Sequence, residues 1–210
     1  MSSVMFSSPN NIKSNIDGLN CVFEANVFDT QTKFTLAYDG VTNCKAGAIV
    51  NAANNSCLGG GGIDGRINQL GGPSLHKARE ELPILDGSNR NRCFTGDAKI
   101  TIAGNLPCEY VIHAVGPRFK STGPFDQDLL LLGDAYKNAM LRGKEKQLTK
   151  IAFCILSAGI FRGGCSLEEI IKVGIENICK SVYPELERIY FCAFTETEQK
   201  LAKKVVEEFV

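Results

Sequence analysis

The amino-acid sequence predicts an α/β fold, and three observations lead there. Short apolar runs at residues 48–51, 110–115, 151–156 and 189–194 read as strands, and stretches of helical periodicity alternate with them. Two helix-start signals, Ser166 with Glu169 and Thr195 with Glu198, match the S/T-x-x-E capping box ahead of an apolar stripe. At 210 residues, 44% hydrophobic and 22% charged, the chain has the size and composition of one ordinary globular domain.

Residues 1–20 are rich in Ser and Asn and poor in periodic apolar residues, so they are expected to be an extension or loosely docked arm, with the domain proper at residues 21–210. Residues 21–28 and 33–38 read as a hairpin, the second strand alternating Phe34, Leu36 and Tyr38 with Lys33, Thr35 and Ala37. Ala48, Ile49 and Val50 suit a strand buried on both faces, and Ile63, Ile67 and Leu70 then recur at helical spacing. A helix is expected over residues 126–141, closed by Gly143. The last two helices carry Ile170, Ile171, Ile175 and Ile178, then Leu201, Val205 and Phe209. Three strands thus end in loops that lead to helices, and in open α/β sheets such loops share one crevice at the carboxyl ends of the strands.

Lys plus Arg and Asp plus Glu number 23 each, so no global field draws the protein to nucleic acid or to an anionic membrane, and neither partner is expected. No apolar run approaches the roughly 20 residues of a membrane span, and the N-terminus lacks a charged leader with an apolar core. Nine cysteines without a C-x-x-C pair argue against a disulfide framework and against a zinc site; they fit a reducing, intracellular compartment, cytoplasmic or nuclear. Cys57 borders a glycine run but has no flanking base to activate it. His76 and His113 show no metal partners in the sequence and read as structural or surface residues, and Lys144, Lys146 and Lys150 read as a solvated helix end.

The functional signal is the stretch AIVNAANNSCLGGGGIDG at residues 48–65. Four glycines in a row lose the most chain entropy on folding and bury no side chain, so a core has no use for them. Between a strand end and a helix start they expose backbone N–H groups as an anion-binding concavity, and a diphosphate fits there. The run matches neither the P-loop nor G-x-G-x-x-G, and a flexible surface turn is the plain alternative. A second small, glycine-rich loop, SAGIFRGG at residues 157–164, is placed to grip the other side of the same ligand.

Six collinear blocks, AIVNAAN, LGGGGIDG, CFTGDAKIT, LPCEYVIHAVGP, ILSAGIF and IYFCAF, resemble the macrodomain family over residues 34–210. The resemblance implies a three-layer α/β/α sandwich with a mixed central sheet that binds ADP-ribose. The LGGGGIDG form is similar to the branch that hydrolyses mono-ADP-ribose from proteins and deacetylates O-acetyl-ADP-ribose. It implies that Asn54 bonds the distal ribose and that Gly61, Gly62 and Ile63 cradle the diphosphate. Ser157, Ala158, Gly159, Ile160 and Phe161 would close the other side, Phe194 would stack on adenine, and Asp39 and Val41 would flank the base. Asp64 would position or activate the attacking water, with Asn54 as the other catalytic candidate, while Asn51 would tie the loop. Breaking an anomeric C–O bond builds oxocarbenium character that one carboxylate and the substrate's phosphate can stabilise. No cofactor or metal is implied, and the expected partners of this monomer are ADP-ribose and ADP-ribosylated proteins.

Three departures stand against the family pattern. Its Gly-Asp-Ile/Val-Thr reads Asp39-Gly40-Val41-Thr42, which displaces the acid that contacts adenine. Asn68 replaces a histidine one turn after the aspartate, and Arg162 replaces a glycine in the second loop. A reader module without catalysis and an ADP-ribose 1″-phosphate phosphatase are therefore the competing expectations.

Overall fold

The computed structural model describes residues 4–210; the first three residues of the expected N-terminal extension lie outside it. In chain order the elements are β1 (Phe6–Ile16), β2 (Leu19–Val27), β3 (Lys33–Ala37), β4 (Ala48–Ala52), α1 (Gly62–Glu80), β5 (Ala98–Ile102), β6 (Tyr110–Ala114), α2 (Asp126–Glu145), β7 (Lys150–Phe153), α3 (Leu167–Cys179), β8 (Arg188–Cys192) and α4 (Glu196–Glu208). The eight strands form one mixed sheet in the order β1-β2-β3-β8-β7-β4-β6-β5. The inner five, β3, β8, β7, β4 and β6, run parallel, and the outer pairings are antiparallel. Helix α2 packs on β5, β6 and α3, and α3 packs on α4, whereas α1 packs on β4 and β5. The architecture is the α/β/α sandwich with a mixed sheet.

The apolar runs became strands because parallel strands covered by helices are buried on both faces. Ala48, Ile49 and Val50 are wholly buried, as are Ile151, Ala152 and Phe153 beside them. Strand β7 is shorter than the apolar run that predicts it: it ends at Phe153, and Cys154, Ile155 and Leu156 continue as buried loop. The segment expected as a loose arm is instead strand β1 from Phe6 onward, paired with β2. The Phe6 ring is buried against Phe34, 4.8 Å between centroids, and Phe209. One anchoring aromatic and the backbone ladder order a strand whose remaining side chains are mostly exposed.

Gly143 does not close α2, which continues to Glu145. A Cβ there would collide with Ile151, so this glycine serves close helix–strand packing. At α4 the Thr195–Glu198 capping box is complete. At α3 the Ser166 hydroxyl accepts from the Glu169 N–H, while the Glu169 carboxylate takes the Cys165 thiol at 3.7 Å.

Candidate functional site

Because the five inner strands are parallel, their carboxyl ends lie along one edge, and the loops after β3, β4, β7 and β8 collect there. Asp39 and Val41 follow β3, Asn54 and the glycine run follow β4, residues 157–161 follow β7, and Phe194 follows β8. Ile63 and Asp64 stand in the first turn of α1. The predicted ligand residues thus share one edge of the sheet. Val41, in the short 3-10 turn Val41–Asn43, is buried, as are Asp64 and Ser157.

The lips of this crevice are bare backbone. Gly61 is the N-cap of α1, with no side chain bonded to the helix start, and a Cβ at Gly61, Gly62 or Gly159 would meet nothing within 4 Å. Gly62 has φ +59°, a conformation that side-chain-bearing residues rarely adopt. The first N–H groups of α1 therefore have neither a side-chain cap nor a side chain over them, which suits an anion. Two large apolar side chains stand exposed at the rim, Ile160 at 86% and Phe194 at 73%. The Phe194 ring lies over Gly40, where a Cβ would be 3.6 Å from the ring. Beside the second loop, a cavity of about 650 Å³ is lined by Ala158, Gly159, Arg162 and the starts of α3 and α4.

One carboxylate oxygen of Asp64 is committed to the protein and the other is not. Only 3% exposed, Asp64 forms an ion pair with wholly buried Arg79, Nη2 to Oδ1 at 2.7 Å, and Oδ1 also accepts from Asn51 Nδ2 at 2.7 Å. Oδ2 has no hydrogen-bond partner, nor has Asn51 Oδ1. Each buried acceptor left unpaired costs about 1–3 kcal/mol, so the network holds two acceptors in reserve. A Cβ at Gly60 would come within 3.1 Å of Asp64 Oδ2 and 3.3 Å of Asn54 Nδ2, so a side chain there would crowd this oxygen.

The chain of contacts continues inward. Asn51 Nδ2 spends its second hydrogen on His113 Nδ1 at 3.1 Å, which makes Nδ1 the acceptor. The ring proton then sits on Nε2, 2.9 Å from Thr101 Oγ1. Burial, and secondarily the charge of Arg79, pushes the His113 pKa well below the ordinary 6.5, so the ring is neutral. Arg79 also donates through Nε to the Cys57 carbonyl and through Nη1 to Asn68 Oδ1 at 3.4 Å.

Other predicted residues are partly committed to their own loops. Asn54 donates to the Gly59 carbonyl at 2.9 Å, and its Oδ1 accepts from the Ser56 N–H and hydroxyl. Asn51, expected to tie the loop, bridges its two ends by donating to Asp64, and Asn54 braces it from within. The Ser157 hydroxyl donates to the Pro117 carbonyl at 2.8 Å, and the Phe161 ring packs under the Arg118 guanidinium. Asp39 accepts from the Gly40 N–H at 2.7 Å, Asn43 Nδ2 at 3.0 Å and Asn20 Nδ2 at 3.3 Å, so its carboxylate braces the turn. Among the described residues no group of His, Cys, Asp or Glu could hold a metal ion, and no helix is long and apolar enough to cross a membrane.

Sequence reasoning missed Arg79 and left His113 as structural or surface; it is structural. The only local signal for His113 was a polar residue inside the apolar run YVIHAV. Arg79 had none, because its partner lies 15 residues away, about 22 Å along an unbroken helix and beyond the reach of two side chains. The break at Gly72, φ +69° and ψ −164°, removes that separation.

A backbone-lined crevice at the carboxyl edge of a mixed sheet, with one buried carboxylate at the start of the first helix, defines an α/β domain with an open cleft at its strand ends. More narrowly, the chain belongs to the macro domain family, whose model matches residues 50–173. It is 38% identical over 180 residues to mouse ADP-ribose glycohydrolase MACROD2, a match covering 84% of this chain and 36% of that protein. It therefore spans about a third of that relative's length. It is 37% identical over 168 residues to the O-acetyl-ADP-ribose deacetylase of Escherichia fergusonii, covering 79% of this chain and 90% of the relative. Among solved structures, the Oceanobacillus iheyensis macrodomain with ADP is similar with TM-score 0.76 and 29% identity, covering 88% of this chain and 94% of that one. The Trypanosoma brucei macrodomain in complex with ADP-ribose is similar with TM-score 0.69 and 31% identity, covering 82% and 68%.

Proposed function

We propose that this chain binds ADP-ribose along the strand-end crevice and hydrolyses its linkage to mono-ADP-ribosylated protein, the acetyl ester of O-acetyl-ADP-ribose, or both. The observation that carries the reading is the pair of bare-backbone loops, Gly61 with Gly62 and Gly159, whose α-carbons face open space at one sheet edge. The names of the curated relatives support the chemistry. In this reading Gly61, Gly62 and Ile63 meet the diphosphate from one side and residues 157–161 from the other. Phe194 takes the adenine, and Asn54 takes the distal ribose through its remaining N–H.

Cleavage of the anomeric C1″–O bond leaves the electron pair on the departing acceptor and positive charge on C1″ and the ring oxygen. Water adds to C1″ and gives up a proton, which the departing acceptor or bulk water takes up. Asp64 is assigned to hold that water through Oδ2, the carboxylate oxygen without a partner. Nine free thiols, eight of them buried, suit a reducing compartment and support an intracellular site of action.

One observation favours a second reading, a non-catalytic reader. Asp64 is buried and ion-paired, and Asn68 bonds Arg79 rather than standing free beside the carboxylate. Turnover on mono-ADP-ribosylated protein and on O-acetyl-ADP-ribose decides between them. Release of ADP-ribose or acetate supports the enzyme; binding of ADP-ribose with neither product released makes the chain a reader.

A further inference from the structure

We infer that Arg79 is a positioning residue that fixes which carboxylate oxygen of Asp64 faces the reaction and couples that orientation to the glycine run. The inference rests on the enzyme reading above. A carboxylate can turn about its side chain and exchange its two oxygens unless one is pinned. Here Oδ1 is taken twice, by Arg79 Nη2 and by Asn51 Nδ2, each at 2.7 Å, and Oδ2 is left as the unengaged acceptor.

The same guanidinium reaches two further segments: Nε donates to the carbonyl of Cys57, immediately before the run that opens at Leu58, and Nη1 to Asn68 Oδ1. A planar fork fixed at three points cannot rotate independently of any of them. The Cys57 carbonyl and Arg79 therefore link the start of the glycine run to Asp64. Lysine would supply the charge at one point only.

Removing a side chain that acts through Asp64 should lower kcat and leave ligand affinity nearly unchanged, because misplacing a reacting group by about 1 Å costs roughly 10²-fold in rate. The experiment compares wild type, Arg79→Gln, Arg79→Lys, Asp64→Asn and the double variant Asp64→Asn/Arg79→Gln. Circular dichroism checks folding, calorimetry gives the ADP-ribose affinity, and kcat and KM are read on mono-ADP-ribosylated protein. The expected result is a kcat loss of roughly 10²-fold in Arg79→Gln, partial recovery in Arg79→Lys and affinity within about threefold of wild type. In the Asp64→Asn background, Arg79→Gln should change kcat by less than about threefold, since a residue acting through the carboxylate has nothing left to position.

Should Arg79→Gln fail to fold, Arg79→Lys against Asp64→Asn carries the same comparison. Folded Arg79 variants with kcat within about twofold of wild type, or losses that multiply in the double variant, overturn the inference while the enzyme reading stands. A wild-type chain with no turnover overturns both.

Discussion

Arg79 Nη2 lies 2.7 Å from Asp64 Oδ1 although 15 residues separate them along α1. Gly72 makes this possible, with φ +69° and ψ −164°, a region open essentially to glycine alone. A Cβ there would also stand 2.8 Å from Asn105 Nδ2. We expect Gly72→Ala to destabilise the fold by about 1–3 kcal/mol and to lower turnover beyond what that loss explains. Urea denaturation and kcat measured well below the melting transition check it; unchanged stability would show that the break does not depend on glycine.

The ion pair also changes how Asp64 should be probed. Asp64→Ala leaves a buried guanidinium with neither counter-charge nor acceptor and should cost about 3–5 kcal/mol, whereas Asp64→Asn also loses the charge but keeps an acceptor and the shape and should cost less. In Asp64→Asn we expect ADP-ribose affinity within a few-fold of wild type and turnover lower by roughly 10²–10⁴. Denaturation and single-turnover kinetics separate the two effects. Equal stability of the two variants contradicts the energetic account.

ADP-ribose should bind at micromolar concentration or tighter, about −8 kcal/mol or better, and ATP distinctly more weakly. Gly61→Glu is the sharper block, because Gly61 has ordinary backbone angles, φ −88° and ψ −179°, and open space beyond its α-carbon, whereas Gly62 is strained for any side chain. The variant should fold normally and lose binding. Calorimetry on folded protein is the measurement, and wild-type affinity in Gly61→Glu would move the ligand elsewhere.

Phe194→Ala should weaken ADP-ribose binding by about 1–3 kcal/mol through lost stacking. Asp39→Ala should cost less, because both its oxygens already hold Gly40, Asn43 and Asn20. If titration ranks Asp39 at or above Phe194, Asp39 is a principal adenine ligand.

His113 is neutral in the folded state with its pKa well below 6.5, because of burial and then the Arg79 charge. The unfolded chain takes up that proton near pH 6.5, so it binds more protons than the native state as pH falls below this value. Stability is thus fully present above about pH 6.5 and drops by up to about 1.4 kcal/mol per pH unit below it. His113→Gln should lose less stability than wild type between pH 7.5 and 5. Urea melts at both values test this. Asp17 and Glu24, held low by their cationic neighbours against the opposing effect of burial, contribute equally in both proteins and cancel.

Much of the fold was legible because its signals are local. Val50 beside Ile49 reads as a strand buried on both faces, Thr195 with Glu198 reads as a helix start, and Gly59 to Gly62 read as backbone meant for an anion. Each depends on neighbours within one element. Strand β1 was not legible, because as an edge strand it presents mostly solvated Ser and Asn and interrupts its register twice. Gly143 read as a stop because only Ile151, packed across from it, shows why a side chain cannot fit.

The sequence by itself determined the α/β alternation, the crevice at the strand ends and the aspartate at the head of the first helix. The tertiary structure alone decided what that aspartate touches. Whether Asp64 meets a buried arginine depends on where Gly72 turns the chain and on the register that sets Asn51 beside His113. Those contacts join residues 13 to 62 positions apart, and no helical or strand period spans such distances.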